Sequence, residues 1–144
     1  MALDGSCACG KIRYQINGTL IGPVTYCHCW RCRKHSGASF GTTAGVRRED
    51  LAFIDGASLL SSWESSTGTY RYFASCCGSP IYKEEVSDKE TLGFRLGTLD
   101  SDPGVKVAQH YMVDAMAPWV EISDSLEQVI GGDGPFPERL GQQP

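Results

Sequence analysis

The stretch Cys27-His28-Cys29-Trp30-Arg31-Cys32 packs three thiols into six residues, and no other part of the chain restricts its chemistry so tightly. A C-x-C-x-x-C spacing lets one turn of backbone aim three sulfurs at a common point, and each thiolate reaches a zinc ion at about 2.3 Å. Three ligands leave a tetrahedral ion one corner short. Structural sites close that corner with a fourth side chain, whereas catalytic sites keep it for water or substrate. His28 and His35 are the next candidates in sequence. His28 alternates with its flanking cysteines and is expected to point away along an extended strand. His35, three residues past Cys32, is within reach. The expectation is a zinc centre on Cys27, Cys29 and Cys32, open at its fourth corner unless a histidine fills it.

The composition bounds what else the chain can be. Its 144 residues, 41% of them hydrophobic, suffice for one domain with a core. A net charge of −4 argues against nucleic-acid binding, which leaves a basic footprint. The local exception is Arg31, Arg33 and Lys34, beside the cysteine cluster. The start, Met1-Ala2-Leu3-Asp4-Gly5-Ser6, lacks a cationic region followed by an apolar run. No stretch approaches the roughly 18 apolar residues of a membrane span. A cytoplasmic protein with no membrane partner is therefore expected. In that compartment seven cysteines read as metal ligands or catalytic groups rather than as disulfides.

Strand patterns dominate the chain. Lys11 to Ile16 alternates polar and apolar residues and closes at Asn17-Gly18. Similar runs fall at Val24 to Cys27, Phe40 to Val46, Leu51 to Ile54, Leu59 to Trp63, Tyr70 to Phe73 and Leu92 to Leu96. Gly, Ser, Asp and Pro separate them, as in an antiparallel, mainly β domain. Helical turns are expected at Arg31 to Ser36 and near Ser123 to Val129. The domain is expected to occupy residues 1–130, with a flexible polar tail over 131–144 that begins at Gly131-Gly132-Asp133-Gly134-Pro135.

Further cysteines stand apart from the central cluster. Cys7-Ala8-Cys9-Gly10 is a C-x-C hook before the first alternating run, and Cys76-Cys77-Gly78 follows Tyr70 to Phe73. Two from each would make a Cys₄ structural zinc site that pins the N-terminal segment to the middle of the chain. Neighbours on an extended strand face opposite ways, so Cys76 and Cys77 need a distorted turn to share one ion. Otherwise Cys76 is a small buried hydrophobe.

Taken in order, Gly5-x-Cys7-x-Cys9-Gly10-x-Ile12-x-Tyr14, Cys27-His28-Cys29-x-x-Cys32-Arg33-Lys34, Ser36-Gly37, Phe73, Cys77-Gly78-Ser79-Pro80, Gly97-Thr98-Leu99-Asp100, His110 and Pro118-Trp119 resemble the glutathione-dependent formaldehyde-activating enzyme family. The resemblance spans residues 5 to 125. It implies a β-tent of several small antiparallel sheets stapled by zinc. It also implies a catalytic zinc on Cys27, Cys29 and Cys32, and a structural zinc on Cys7, Cys9 and Cys77. The chain departs from the family at one point: Ala74 stands where the family's Phe-Cys-x-x-Cys-Gly has its first cysteine. Either Cys76 substitutes through a shifted backbone, or the site keeps three sulfurs and a water, or it has lost its metal.

An open Cys₃ zinc carries a net charge near −1, which makes it poor at acidifying water and well suited to an incoming thiol. Arg31, Arg33 and Lys34 could offset the added charge, and Arg33 and Lys34 could meet the carboxylates of an acidic thiol. The reaction class that follows is reversible addition of a thiol to an aldehyde, and the resemblance supplies glutathione and formaldehyde as partners. The expected activity is that of a carbon–sulfur lyase or ligase acting on an adduct such as S-hydroxymethylglutathione. His28, His35 and His110 are the candidate proton carriers. Trp30 and Trp119 read as apolar walls or core, and Asp100 as a turn residue. Two other classes stay open: a non-catalytic zinc-binding interaction module, and a glutathione or zinc carrier without turnover.

Overall fold

The computed structural model describes residues 2–132; most of the expected tail, from residue 133 on, lies outside the described residues. The architecture is mainly β, as expected, and is arranged in two sheets. A three-stranded sheet takes β1 (Leu3–Ser6), β2 (Arg13–Ile16) and β5 (Leu51–Asp55) in that order. The larger sheet adds β3 (Ile21–Cys27), β4 (Gly41–Arg47), β6 (Leu60–Ser66), β7 (Thr69–Ala74), β8 (Pro80–Glu85), β9 (Thr91–Arg95), β10 (Val107–Tyr111) and β11 (Glu127–Val129). Its order is β11-β10-β3-β4-β9-β8-β7-β6. One helix, α1 (Trp30–Ser36), follows β3.

The pairings are antiparallel except around β10, which runs parallel to both β3 and β11. Parallel neighbours need a long crossover, and most of the chain lies between β3 and β10. The helical turn expected near residues 123–129 does not form. Glu127–Val129 instead extends along β10, with Gln128 opposite His110. Asp124 turns the chain beforehand by accepting the Leu126 N–H at 3.0 Å.

Period-two alternation assigns the two faces of the large sheet. Val24, Ala44, Val46, Leu92 and Phe94 are buried in the main core, where they join Ile12, Tyr14 and Ile16 from the small sheet and its approach. Tyr14 stacks over Gly5, its cross-strand partner, where any side chain would run into the phenol ring. The Tyr14 hydroxyl then bonds to Thr98 Oγ1 at 2.7 Å. The residues between those core positions (Thr25, Thr43, Gly45, Gly93, Arg95) line the opposite face.

Candidate metal and thiol site

Cys27 ends β3 and Cys29 caps α1, so the strand-to-helix turn sets the spacing of the cysteines. The Cys29 sulfur accepts the Cys32 N–H at 3.3 Å, and its carbonyl accepts the Arg33 N–H at 3.1 Å. Gly37, left-handed at φ 69°, ends the helix by donating to the Arg33 carbonyl at 2.8 Å. The turn is tied to β10, where the His28 N–H donates to the Tyr111 carbonyl at 2.9 Å. The sulfurs of Cys27, Cys29 and Cys32 consequently lie within 4.8 Å of one another, all buried. Neither His28 nor His35 joins this group. Met112, whose φ of 58° is the one left-handed non-glycine among the described residues, packs against it.

Two buried arginines face the cluster, and neither stood out in the sequence. Arg71, from β7, donates through Nη1 to the Cys32 sulfur at 3.7 Å and through Nε to Ser65 Oγ at 2.9 Å. Arg95, at the end of β9, approaches the same sulfur at 3.9 and 4.0 Å. Hydrogen bonds from Cys27 and Cys29, then the charges of Arg95 and Arg71, hold the Cys32 thiol well below its ordinary pKa. Strand alternation with inward-facing arginines was the available signal. Tyr70-Arg71-Tyr72 and Phe94-Arg95 place charges on strands otherwise rich in aromatic residues.

The cations expected beside the cysteines have other surroundings. Arg31 lies over the Trp30 ring at 4.5 Å and donates through Nε to the Ser65 carbonyl at 3.3 Å. Arg33 is buried, 6.0 Å from the ring of Trp119, and Lys34 is exposed. With His35 they occupy the last turn of α1, where positive charge complements the helix dipole. A cavity of about 270 Å³ opens beside the cysteines instead between Thr25, Thr43, Lys83, Arg95, Gln109 and Tyr111, with Cys27 and Cys32 in its wall.

The histidines form a chain of their own. His28, fully buried, meets His110 through Nε2···Nδ1 at 2.8 Å, and His110 Nε2 meets Asp124 at 2.9 Å. His28 Nδ1 has no partner among the described residues. Burial, then the nearby His110 and Arg33, lowers the His28 pKa to about 4. His35 lies between Trp63 and Phe73, and burial, then Arg71 and Arg95, lowers its pKa to about 4 as well. Trp119 is mostly exposed and donates to Ser39 at 3.0 Å, so it is not a core residue. The backbone bends at Asp100, whose N–H donates to the Asp4 carbonyl at 2.8 Å.

The second cysteine set also converges. Cys7, Cys9, Cys76 and Cys77 bring their sulfurs within 4.8 Å of one another. The distorted turn this requires is present after β7: the N–H groups of Cys77 and Gly78 both point at the Ala74 carbonyl, at 3.4 and 2.7 Å. Cys76 thereby reaches Cys9 at 3.3 Å and Cys7 at 3.9 Å, while Ala74 is fully buried in the core. Four thiols at such separations suit a tetrahedral ion such as zinc.

The sequence profile of the glutathione-dependent formaldehyde-activating enzyme family matches residues 2–115. This chain belongs to that family. A Halomonas elongata protein named "Putative glutathione-dependent formaldehyde-activating enzyme" is 28% identical over 134 residues, covering 89% of this chain and 85% of that relative. A Rhodobacter sphaeroides protein of known crystal structure superposes with a TM-score of 0.57 at 28% identity, over 74% of this chain and 91% of that one. Among the described residues no helix is long and apolar enough to cross a membrane.

Proposed function

We propose that this chain is a zinc-dependent enzyme that forms and cleaves the carbon–sulfur bond between a thiol and an aldehyde, with S-hydroxymethylglutathione as the adduct. The observation that carries this reading is the convergence of three buried sulfurs, those of Cys27 and Cys32 beside a cavity, with two buried arginines at Cys32. Cys27, Cys29 and Cys32 would hold the catalytic ion, and Cys7, Cys9, Cys76 and Cys77 a structural one. The donor sets fit. Both are all-thiol, which suits a soft or borderline ion, and one has three donors where the other has four. Zinc held by Cys27, Cys29 and Cys32 would supply the charge that lowers the pKa of an incoming thiol toward neutral pH.

The chain's own residues do the rest. Arg71 and Arg95 offset the negative charge that gathers as an acidic thiol approaches three thiolates. The cavity gives a substrate access to Cys27 and Cys32 and would offer the mutually bonded Thr25 and Thr43 hydroxyls and the Gln109 amide to the aldehyde oxygen. As the carbon–sulfur bond forms, the carbonyl pair moves to that oxygen, which takes up the proton lost by the thiol; cleavage runs the reverse course. Arg95 and Lys83, rather than Arg33 and Lys34, are the cations in the cavity wall where the thiol would sit.

The test is thiol-dependent disappearance of formaldehyde with zinc-loaded protein, run beside Cys29→Ser and Arg95→Gln variants of verified fold. The reading requires activity in the wild type and a loss of about a hundredfold or more in Cys29→Ser. Glutathione binding without turnover would make the protein a carrier. No binding at all would leave a structural module.

A further inference from the structure

β10 ends at Tyr111, and the chain then turns sharply. Met112 takes φ 58° and ψ 48°, and its carbonyl accepts the Ala115 N–H at 3.0 Å to start a single tight helical turn over Val113–Ala115. Every other residue with positive φ among the described residues is glycine. Glycine would take this backbone without strain, whereas any side chain brings its Cβ close to the following carbonyl. A long side chain is nevertheless kept here, and it packs against buried Cys27, Cys29 and Cys32. Strain held at such a point is a pointer to function.

Two further contacts hold the methionine in place. A Cβ on Gly131 would lie 2.6 Å from Met112 Cγ and 2.7 Å from its Cε, so the side chain lies flat on bare backbone. Asp114, two residues on, accepts the N–H groups of Gly131 and Gly132 at 2.8 and 2.7 Å, one on each carboxylate oxygen. A charged acceptor with two donors makes a strong, directional clasp. β11 delivers those glycines, with Val129 beside Tyr111 in the parallel pairing. Met112 is thereby held between the cysteine cluster and the segment that follows β11. The cavity beside the cluster is a separate approach. Its wall includes Cys27, Cys32 and Tyr111, but neither Cys29 nor Met112. The methionine therefore covers a side of the cluster that the cavity does not reach.

We propose that Met112 is the access-determining residue of the three-cysteine site: clasped by Asp114 and Gly131, it closes the side away from the cavity, so that reactants reach the sulfurs through the cavity alone. An apolar cover of this kind controls solvent access to a metal centre. The inference rests on the reading of Cys27, Cys29 and Cys32 as a zinc site, and it makes the segment after β11 part of that site.

The experiment has two arms, both on zinc-loaded protein: the rate of zinc release to excess EDTA, and N-ethylmaleimide labelling of each cysteine mapped by peptide mass. Met112→Ala should speed release from the three-cysteine class about tenfold and raise labelling of Cys27, Cys29 and Cys32, with the four-cysteine class unchanged. Met112→Leu, which keeps the bulk without the thioether, should behave as the wild type. Asp114→Asn weakens the clasp and should speed release severalfold. Gly131→Ala should speed release in the wild type and add nothing in Met112→Ala, where the side chain that the new methyl meets is gone. A merely destabilised fold would release both zinc classes and show no such dependence. Unchanged release and labelling in Met112→Ala, equal acceleration of both classes, or Met112→Leu as open as Met112→Ala would overturn the proposal. Unchanged release in Asp114→Asn, or additive effects of Gly131→Ala and Met112→Ala, would overturn the clasp. Met112-dependent labelling in a protein without three-cysteine zinc refutes the zinc reading and keeps the cover. Zinc at that site that ignores Met112 in both arms does the reverse.

Discussion

Arg71 and Cys32 lie 39 residues apart in the chain, yet the arginine Nη1 stands 3.7 Å from the cysteine sulfur, both groups buried. A buried thiolate is costly without a countercharge, and a buried guanidinium is equally costly without an anion. Arg71 therefore favours the ionised form of Cys32, and Cys32 gives the buried guanidinium a partner. Arg71 also reaches Ser65 at 2.9 Å, which leaves it little freedom to turn away.

Arg71→Gln should consequently weaken zinc retention at the three-cysteine site by ten- to a hundredfold, as for other groups that support metal ligands. The four-cysteine site, which packs against the main core apart from the three-cysteine cluster, should keep its affinity. Chelator competition that resolves two classes of zinc is the measurement, and equal weakening of both classes would contradict the assignment.

Cys76→Ser should lower zinc content and the thermal midpoint together, because an ion on the four proposed ligands would tie Cys7 and Cys9 to a turn nearly 70 residues away. Cys77→Ser should behave alike. If Cys76 were a small apolar residue beside a three-sulfur site, its substitution would leave zinc content unchanged. Metal analysis of each purified variant decides between the two.

His35 makes stability fall in acid. Its folded pKa of about 4 lies below the usual 6.5, so the unfolded chain binds the proton more readily. The stability contributed by the neutral, half-buried ring is complete above pH 6.5 and is lost as pH falls toward 4. His35→Phe keeps the contacts to Trp63 and Phe73 and removes the titration. The difference in unfolding free energy between variant and wild type should shift in the variant's favour between pH 6.5 and 4.5. A difference that stays constant over that window would contradict it.

Gly5→Ala should destabilise the domain by about 1–3 kcal/mol, since the added methyl competes with the Tyr14 ring for the same space. Tyr14→Phe, which loses only the bond to Thr98, should cost about 1 kcal/mol. Denaturant melts with a common slope would show both.

The convergence of Cys27, Cys29 and Cys32 was legible in the sequence because their spacing is local, whereas that of Cys7 and Cys9 with Cys76 depends on a turn nearly 70 residues away, which the sequence left open. Alternating runs such as Tyr70 to Phe73 and Leu92 to Leu96 matched β7 and β9 closely for the same reason: period two is a local signal. Pro80–Glu85 was missed as a strand because proline and successive charges read as a loop; pairing with β7 and β9 overrides that tendency. Val107–Tyr111 depends on a parallel partner far away in the chain. Arg71 and Arg95 were hidden more deeply. A charge in a strand normally marks the solvent face, and only the register of Arg95 with β4, that of Arg71 with β8 and the position of α1 show that these two face Cys32. Arg33 and Lys34 drew attention by adjacency to Cys32, but a helix turns its last residues away from the cysteine at its start.

An open three-sulfur site is tested most directly by zinc K-edge X-ray absorption of the loaded protein before and after addition of glutathione. It predicts an average between three and four sulfurs per ion that rises to four when the thiol is added, with the rise abolished in Cys29→Ser. A shell already complete with protein donors, and unchanged by glutathione, would contradict an open site and make the cysteines purely structural.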